Sequence, residues 1–596
     1  MTPTPRALCW LSWGAVAAAF VLLLCHEWFG PDIWYHLYLG SRIAQSFQAQ
    51  PLDNLILRQP SFLNFYWLFQ LLVWGAYSLG RIYAVSALFI ATWAVALFFS
   101  LRTAGAFRAA AWGPCFALIA TIVCQTRFEQ RPEIFSYAFL ALQIHWLASW
   151  PQSQSPRRAE FARFALVQAA WSNMHGYFAL GPMLVGLKIA SQLPDWSGPG
   201  WALHRPGRTG LWQLLALTLL ASVASPFGWR NWEEVWVLWR FLGAMHLKIQ
   251  EFIPSYGSPF QWWTVKVFWV YWAATVAAAA AVLRRAPRKE QFALMLAAVG
   301  LYLSATAYRN IPLIVFFSAP LFGSVLPRAA GLALPEAFVR VAGIVAGAAL
   351  ATWVVNGGFY RSIASSSGFG IRESAYAYPT YFADYLRDSG FHGSIFNRGV
   401  DGGYLEFHFP TLRLYGDSRF TDATLVDEYF QAVTKPPVFR ELQRRYAFDA
   451  VLLAVNESQN VIVDLIRDPD WKMAYADLHR VFLVNTAGAA GRAVAVQAPL
   501  FYRGEDLTIS YNGLSAVRWT DLLGKIGDRR DLLLDLQQLA RAPRIPSVIL
   551  QSALGDGAGN TDGGIVAAVA ALRPKMAAAR PGDAEFVDWL LRRAQH

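Results

Sequence analysis

Eleven stretches of this chain are apolar enough to be read as membrane spans, and that repetition limits the fold before any motif is considered. A spanning helix needs about 20 predominantly apolar residues, because hydrocarbon offers the backbone no hydrogen bonds. The stretches are roughly 8–27, 81–101, 109–125, 133–150, 160–174, 177–192, 211–225, 263–283, 291–307, 311–327 and 338–356. The pair 160–174 and 177–192 is the weakest, since it also reads as one bent helix. Phe65–Gly80 is apolar but short and reads as a re-entrant or interfacial piece. Composition agrees: 15% of residues are charged, against about 25% in soluble domains. At 596 residues the chain exceeds one core, so more than one domain is expected.

The formal charge of +12 falls in short clusters between apolar runs and forms no stripe. With no nucleic-acid-binding motif beside it, this pattern argues for a lipid bilayer as partner and against nucleic acid. The four cysteines, Cys9, Cys25, Cys115 and Cys124, have neither a disulfide nor a zinc spacing and read as small buried side chains. Residues 8–27 resemble a signal peptide, but no A-x-A site follows. They are taken as an uncleaved first span.

With the N-terminus placed in the cytoplasm, the inside loops carry Arg102 and Arg108; Arg157, Arg158 and Arg163; Lys188, Arg205 and Arg208; Arg284, Arg285, Arg288 and Lys289; and Arg328 and Arg340. Only Glu160, Asp195, Glu290 and Glu336 oppose them, as the positive-inside rule requires. Trp28, Trp34, Trp229, Trp232, Trp236, Trp262 and Trp263 then fall outside, as an aromatic belt would. Eleven spans also put the long C-terminal part outside.

The same topology collects polar residues on the outer face. The first loop holds Glu27, Asp32 and His36, and Pro31 starts an expected amphipathic interfacial helix over 31–48. Asp32 and His36, four apart, share a face of it. The other loops add Arg127, Glu129, Arg131 and Glu133; Asn173 and His175; Arg230, Asn231, Glu233, Glu234, His246, Lys248 and Glu251; and Arg309 and Asn310. Ionisable groups at membrane depth are costly and usually functional, so five loops supplying them indicate one polar pocket. Glu233 and Glu234 read as a solvated face.

After Asn356 the character changes. The expected organisation is a transmembrane domain over 1–356, a linker over 357–378, a periplasmic α/β domain over 379–500 and a helical C-terminal region over 501–596. Pro379–Gly390 reads as a helix with Pro near its start and Gly past its end. Strands are expected at Gly393–Asn397, Tyr404–Phe409, Leu412–Tyr415, Asp449–Ala454, Arg480–Val484 and Ala493–Gln497, with helices at 425–433, 437–447 and 459–467.

No phosphate-binding glycine loop, G-x-S-x-G or H-E-x-x-H stands at a credible place. An outward-facing enzyme has no nucleotide sugar and must receive its activated group on a lipid carrier. It then needs cations for the lipid phosphate and a carboxylate base for the acceptor, and the outer loops supply both.

The motifs D-I-W-Y-H-x-x-x-G (Asp32–Gly40), R-P-E-I-F-S (Arg131–Ser136), W-S-N-M-H-G (Trp171–Gly176), S-P-F-G (Ser225–Gly228) and Y-R-N-I-P (Tyr308–Pro312) resemble a bacterial branch of the GT-C superfamily of integral membrane glycosyltransferases. F-N-R-G-V-D-G-G-Y (Phe396–Tyr404) and G-D-S-R (Gly416–Arg419) resemble the soluble part of that branch. The resemblance implies an all-α polytopic bundle followed by the periplasmic α/β domain, in the bacterial inner membrane. It also implies an inverting transfer of sugar from a polyprenyl-phosphate carrier to a lipid, glycan or protein. Asp32 would be the base or position the acceptor, and His36 would orient it or contact the phosphate. Arg127, Arg131 and Arg309 would hold the lipid phosphate, whose geometry suits a guanidinium fork. Glu129 and Glu251 are second carboxylates for a metal or the acceptor. The superfamily's D-x-D form is absent, since Glu27 and Asp32 are five apart. A divalent cation (Mg or Mn) on Asp32 and Glu129 therefore stays open.

Other readings stand beside these. Asp32 also suits a helix N-terminus, and His36 also suits interfacial packing. His175 with Asn173 caps a helix or fills a polar gap. Asp417 and Arg419 read first as a salt bridge pinning a turn and second as a substrate contact. A transporter or flippase of a lipid-linked or anionic substrate, which requires polar residues through the midplane and inverted repeats, and a non-catalytic assembly protein are the alternative classes.

Overall fold

The computed structural model describes residues 5–50, 55–57, 63–109, 111–150, 157–192, 208–246, 248–257, 262–285, 290–331, 335–363, 365, 367–374, 377–419, 423–455, 457–476 and 479–494. The expected helical region over 501–596 lies outside them. The chain divides into two units. One comprises Met1–Pro51 and Phe62–Arg372, the other Leu52–Ser61 and Glu373–His596.

The first unit is helical: α1 (Pro5–Leu24), α2 (Ile33–Ser46), α3 (Trp67–Thr103), α4 (Trp112–Cys124), α5 (Glu133–Ala148), α6 (Arg158–Ser172), α7 (Leu180–Ala190), α8 (Arg208–Ser222), α9 (Arg230–Met245), α10 (Trp263–Arg285), α11 (Gln291–Thr306), α12 (Leu313–Phe317), α13 (Ala319–Val325), α14 (Glu336–Val355) and α15 (Gly358–Ser362). Each of the eleven expected stretches carries helix. Among the described residues, α1, α3, α10 and α14 are long and apolar enough to cross a membrane, and the pair Tyr308–Phe317 and Ala319–Arg328, bent by 44°, makes a fifth. The rest are shorter. The 13 residues of α4 rise only about 20 Å, against about 30 Å of hydrocarbon. This is a membrane protein, and helix length by itself accounts for fewer crossings than eleven.

Small residues let helix backbones meet. Gly343 and Gly347 of α14 face α1, where an added Cβ would lie 2.5 Å from Ser12 Oγ and 2.9 Å from the Ala15 carbonyl carbon. This is the close approach that a G-x-x-x-G spacing permits. Gly40 of α2 does the same against α3, its place for a Cβ only 2.2 Å from the Gln70 carbonyl oxygen. Residues Ile33–Gly40 are consequently buried on every side. Trp28 and Trp34 are fully buried too, and Trp28 Nε1 donates to Ser86 Oγ at 2.9 Å. They are core residues and not belt residues, whereas Trp229 and Trp236 are exposed. The short apolar piece Phe65–Gly80 is continuous with the span after it as α3, broken by a kink at Gly80–Arg81.

The expected linker is pinned where it is described. Phe369 pairs with His26 in an antiparallel bridge. The backbone N–H of Trp28 donates to the Arg372 carbonyl, and that of Gly370 to the Cys25 carbonyl.

The second unit is α/β, with α16 (Thr380–Ser389), β1 (Ser394–Asn397), α17 (Gly399–His408), β2 (Arg413–Leu414), α18 (Ala423–Thr434), α19 (Pro436–Tyr446), β3 (Ala450–Ala454), α20 (Gln459–Ile466), β4 (Trp471–Ala476), β5 (Arg480–Asn485) and α21 (Ala489–Ala493). The sheet order is β2-β1-β3-β5-β4. β1 runs parallel to β2 and β3, and β5 is antiparallel to β3 and β4. β3, AVLLA, is buried along its whole length, as a strand covered on both faces must be. Gly390 ends α16 at φ +62°, the left-handed C-cap expected of it. Ile56, from the loop after α2, bridges Leu414 in parallel and extends the β2 edge.

Two strand expectations change, and one strand is unexpected. Tyr404–His408 is helix, because parallel β1 and β2 need a crossover and α17 is that crossover. Gly402 lets α17 press onto the β2 end, its place for a Cβ 2.4 Å from the Gly416 carbonyl oxygen. Ala493 closes α21, and the remainder of Ala493–Gln497 is not strand where it is described. Trp471–Ala476, unread as a strand, forms β4 at the far edge. Buried ion pairs hold the crossover. Arg480 donates to both Asp401 oxygens at 2.8 and 3.0 Å, and Arg419 pairs with Glu406 at 2.7 Å and with Asp417.

Candidate active site

Within the helical unit, four separate stretches deliver charge to one place. The link between α4 and α5 brings Arg127, Glu129 and Arg131, and Glu133 opens α5. A short 3-10 turn, Gln250–Phe252, brings Glu251, and another, Tyr308–Asn310, brings Arg309. Asp32 stands at the N-cap of α2. Backbone bonds fix two of these turns to each other. Ser255 N–H donates to the Ala305 carbonyl at 3.0 Å, Tyr308 N–H donates to the Ile253 carbonyl at 2.9 Å, and Ser255 Oγ donates to the Ser304 carbonyl at 2.6 Å. Arg309 lies over the Phe252 ring at 5.2 Å, a cation–π contact.

Glu251 is the hub. Its Oε2 accepts from Arg127 Nη1 and Arg131 Nη1, both at 2.9 Å, and its Oε1 faces Arg309 Nη1 at 3.6 Å. Arg309 Nη2 also reaches Glu133 at 2.9 Å, and Arg127 pairs with Glu133. Arg131 Nε lies 2.7 Å from Glu129 and 3.5 Å from Asp32. Three guanidiniums thus meet four carboxylates, a formal balance of −1. Burial works to raise the Glu251 carboxyl, and Arg131, Arg309 and Arg127 outweigh it and hold it well below the ordinary carboxylate range. Arg127 and Glu133 are sealed in, with side chains 2% exposed. Asp32 at 21%, Arg131 at 15% and Arg309 at 18% reach the rim.

Beside this cluster the W-S-N-M-H-G loop meets the R-P-E-I-F-S and Y-R-N-I-P motifs. His175 Nδ1 lies 2.9 Å from Ser136 Oγ, which also accepts from Trp171 Nε1 at 2.7 Å. Tyr177 donates to Asn310 Oδ1 at 2.9 Å. Burial pushes His175 down to about 3, with Glu133 opposing and Arg309 and Arg127 assisting, so its ring is neutral at ordinary pH. Asn173 fills a polar gap, accepting from Trp67 Nε1 at 2.7 Å and donating to the Ala224 carbonyl at 2.8 Å. His36 is buried. Its Nδ1 lies 3.3 Å from Gln70 Nε2, which is itself locked to Asn64. Tyr66 stands between the two histidines, its ring 5.4 Å from His36 and 6.0 Å from His175.

Of the residues singled out in the sequence, Asp32, Arg127, Glu129, Arg131, Glu251 and Arg309 form one network, and His175 is bonded to Ser136 on α5, the helix that Glu133 opens. His36 lies one helical turn below Asp32. Asp417 and Arg419 belong to the other unit, where they form the buried pair described above. Glu27 instead ties down the chain that follows α15, where its carboxylate accepts from Gly368 N–H at 3.0 Å and from Arg372 Nε at 2.5 Å. As metal ligands, Asp32 and Glu129 do not fit, because both lean on Arg131. Among the described residues, no three His, Cys, Asp or Glu side chains converge to hold an ion.

Glu234 corrects the sequence reading. It is buried and not on a solvated face, and its Oε1 has no hydrogen-bond partner among the described residues. Tyr66 lies within electrostatic reach of it, as it does of Asp32 and Arg309. Nothing in N-W-E-E distinguishes Glu234 from Glu233; only the packing of α9 does. Burial pushes the Glu234 carboxyl up to about 7, with Arg230 opposing. The folded protein therefore keeps a proton there that the unfolded chain releases near 4.5. Stability should fall as pH rises from about 4.5 to about 7, with the full cost present above that. Glu234→Gln removes the cost. In thermal unfolding the variant should be more stable than wild type at about pH 8, by about 1–2 kcal/mol after allowance for water reaching the carboxyl, and level with it near pH 4. An equal gap at both pH values would contradict this assignment.

Neither a protein-family model nor a curated protein sequence matches this chain. Solved structures do. The Archaeoglobus fulgidus oligosaccharyltransferase in its apo form aligns over 75% of this chain and 70% of its own, at 10% identity and a TM-score of 0.46. ArnT from Cupriavidus metallidurans bound to undecaprenyl phosphate aligns over 82% of this chain and 99% of its own, at 15% identity and a TM-score of 0.46. The same oligosaccharyltransferase in complex with Zn and sulfate aligns over 76% and 69%, at 10% identity and a TM-score of 0.44. Likeness at these TM-scores carries no argument about activity, so the functional reading rests on the chain's own residues.

Proposed function

We propose that this protein is a membrane glycosyltransferase that moves a sugar from a polyprenyl-phosphate donor to a hydroxyl or amine of a lipid, glycan or protein acceptor. The outer face of a bacterial inner membrane is the proposed place. The observation that carries the reading is the junction at Arg131. One partly exposed guanidinium there touches Asp32, Glu129 and Glu251, with Arg309 on the other side of Glu251. Arg131 Nη2 takes no part in these pairs, so it has N–H groups for a phosphate at the rim.

Asp32 meets Arg131 only at 3.5 Å and is about a fifth exposed, which leaves its oxygens able to accept a proton. In the proposed step the acceptor oxygen or nitrogen forms a bond to the anomeric carbon as the bond from that carbon to the phosphate oxygen breaks. The acceptor proton passes to Asp32, the polyprenyl phosphate leaves against Arg131 and Arg309, and the anomeric configuration inverts. Arg127, sealed against Glu133, holds the other charges in place.

The test uses the full chain in proteoliposomes with a radiolabelled undecaprenyl-phosphate hexose and envelope lipids as acceptor. Wild type should release undecaprenyl phosphate and label a new product, and Arg131→Ala should do neither at a comparable rate. Label that crosses the bilayer still attached to its carrier would favour a transporter and overturn the reading.

A further inference from the structure

Three helices run from the charged cluster to a second polar site. Glu133 opens α5, and His145 lies in its last turn. The His175 turn precedes α7, and Lys188 lies in its last turn. Arg309 follows α11, and Phe292 lies in its first turn. At this far end Arg102, Arg108, His145, Lys188, Glu290 and Phe292 are among the residues lining a cavity of about 1000 Å³. Pockets for small organic ligands run to about this size.

The charge of the lining is lopsided. Arg102, Arg108 and Lys188 face one carboxylate, Glu290, among the described residues. Arg102 and Arg108 are exposed, and the bias toward basic inside loops accounts for residues of that kind. It does not account for Lys188, which is only 5% exposed. Its Nζ sits 4.8 Å over the Phe292 ring, and no carboxylate pairs with it among the described residues. Burying an ammonium is costly, and one aromatic face returns only part of that cost. An anion brought into the cavity removes the mismatch.

We propose that this cavity binds a phosphate group, with Lys188 at its base and Arg102 and Arg108 at its mouth. The phosphate belongs either to an anionic phospholipid headgroup or to a soluble phosphate, and the two arrive from different sides. This site is separate from the donor site, so it stands whether or not the chain transfers sugar.

The test reads binding and not turnover. The full chain is placed in nanodiscs of phosphatidylcholine alone or with phosphatidylglycerol, and retained lipid is counted by native mass spectrometry. Thermal unfolding with inorganic phosphate in the phosphatidylcholine discs forms the second arm. Wild type should retain phosphatidylglycerol, or be stabilised by phosphate, and the arm that responds names the source. Lys188→Met should weaken the response about tenfold or more, the loss of a charge-assisted hydrogen bond. Ala148→Trp keeps every charge but narrows the cavity, and it should weaken the response even if Lys188→Met folds poorly. A response in Ala148→Trp equal to wild type would show attraction to surface charge only and overturn the proposal. So would the absence of any response in wild type.

Discussion

Asp32→Asn is expected to cut the rate of sugar transfer by about 10²–10⁴-fold, the range general-base catalysis supplies, while donor affinity stays within a few-fold. The amide keeps the shape of the carboxylate but cannot take a proton. Stability should barely move, because the side chain is about a fifth exposed and its ion pair to Arg131 spans 3.5 Å. Pairs of that kind are worth at most about 1 kcal/mol. Arg131→Ala is expected to differ: on the proposed mechanism it removes a contact to the leaving phosphate, so donor binding should weaken as well as rate. Single-turnover transfer with pre-bound donor separates the two. Asp32→Asn turning over like wild type, or losing rate only in step with loss of folded protein, would remove Asp32 from the chemistry.

Glu251→Gln is expected to act on the whole site. It leaves Arg127, Arg131 and Arg309 with one carboxylate fewer where two 2.9 Å bonds had been. Breaking a buried ion network by removing one partner costs about 3–5 kcal/mol, so thermal unfolding should shift strongly downward and transfer should fall with it. The pH dependence follows from the depressed carboxyl. Glu251 contributes its stability in full above the ordinary glutamate value of 4.5, and loses it as pH falls toward the lower folded value. The gap between wild type and Glu251→Gln should therefore be widest near neutral pH and close in acid. A gap that does not change with pH would mean that shape and not charge is what Glu251 provides.

The gathering of Asp32, Arg127, Arg131, Glu251 and Arg309 was legible because apolar runs fix where loops emerge. Five polar loops on one side of a bundle have little choice but to meet. Which partner each charge takes was not legible. Glu133 reads as one more residue of its loop, yet it is the buried counter-charge of Arg127 and Arg309. Glu234 and Glu233 differ only in which side of α9 is covered. Trp28 and Trp34 match a belt pattern equally well, and it is the contact of Gly40 with Gln70 that encloses their segment. In the second unit, Tyr404–Phe409 alternates like a strand, and the parallel pairing of β1 with β2 overrides that local preference. Local periodicity carries no information about which strand a strand will pair with.

The edge that Ile56 adds beside Leu414 has a consequence for synthesis. Leu55 and Leu57 exchange backbone hydrogen bonds with Leu414, a residue made hundreds of positions later. Until β2 emerges, this short segment has no sheet to join, and the loop that carries it must remain open. A fragment begun at Glu373 would inherit the sheet without that strand, leaving the donors and acceptors of β2 uncovered at an edge prone to pairing with other chains. The α/β unit is thus encoded in two separated stretches of the chain, and neither specifies it alone.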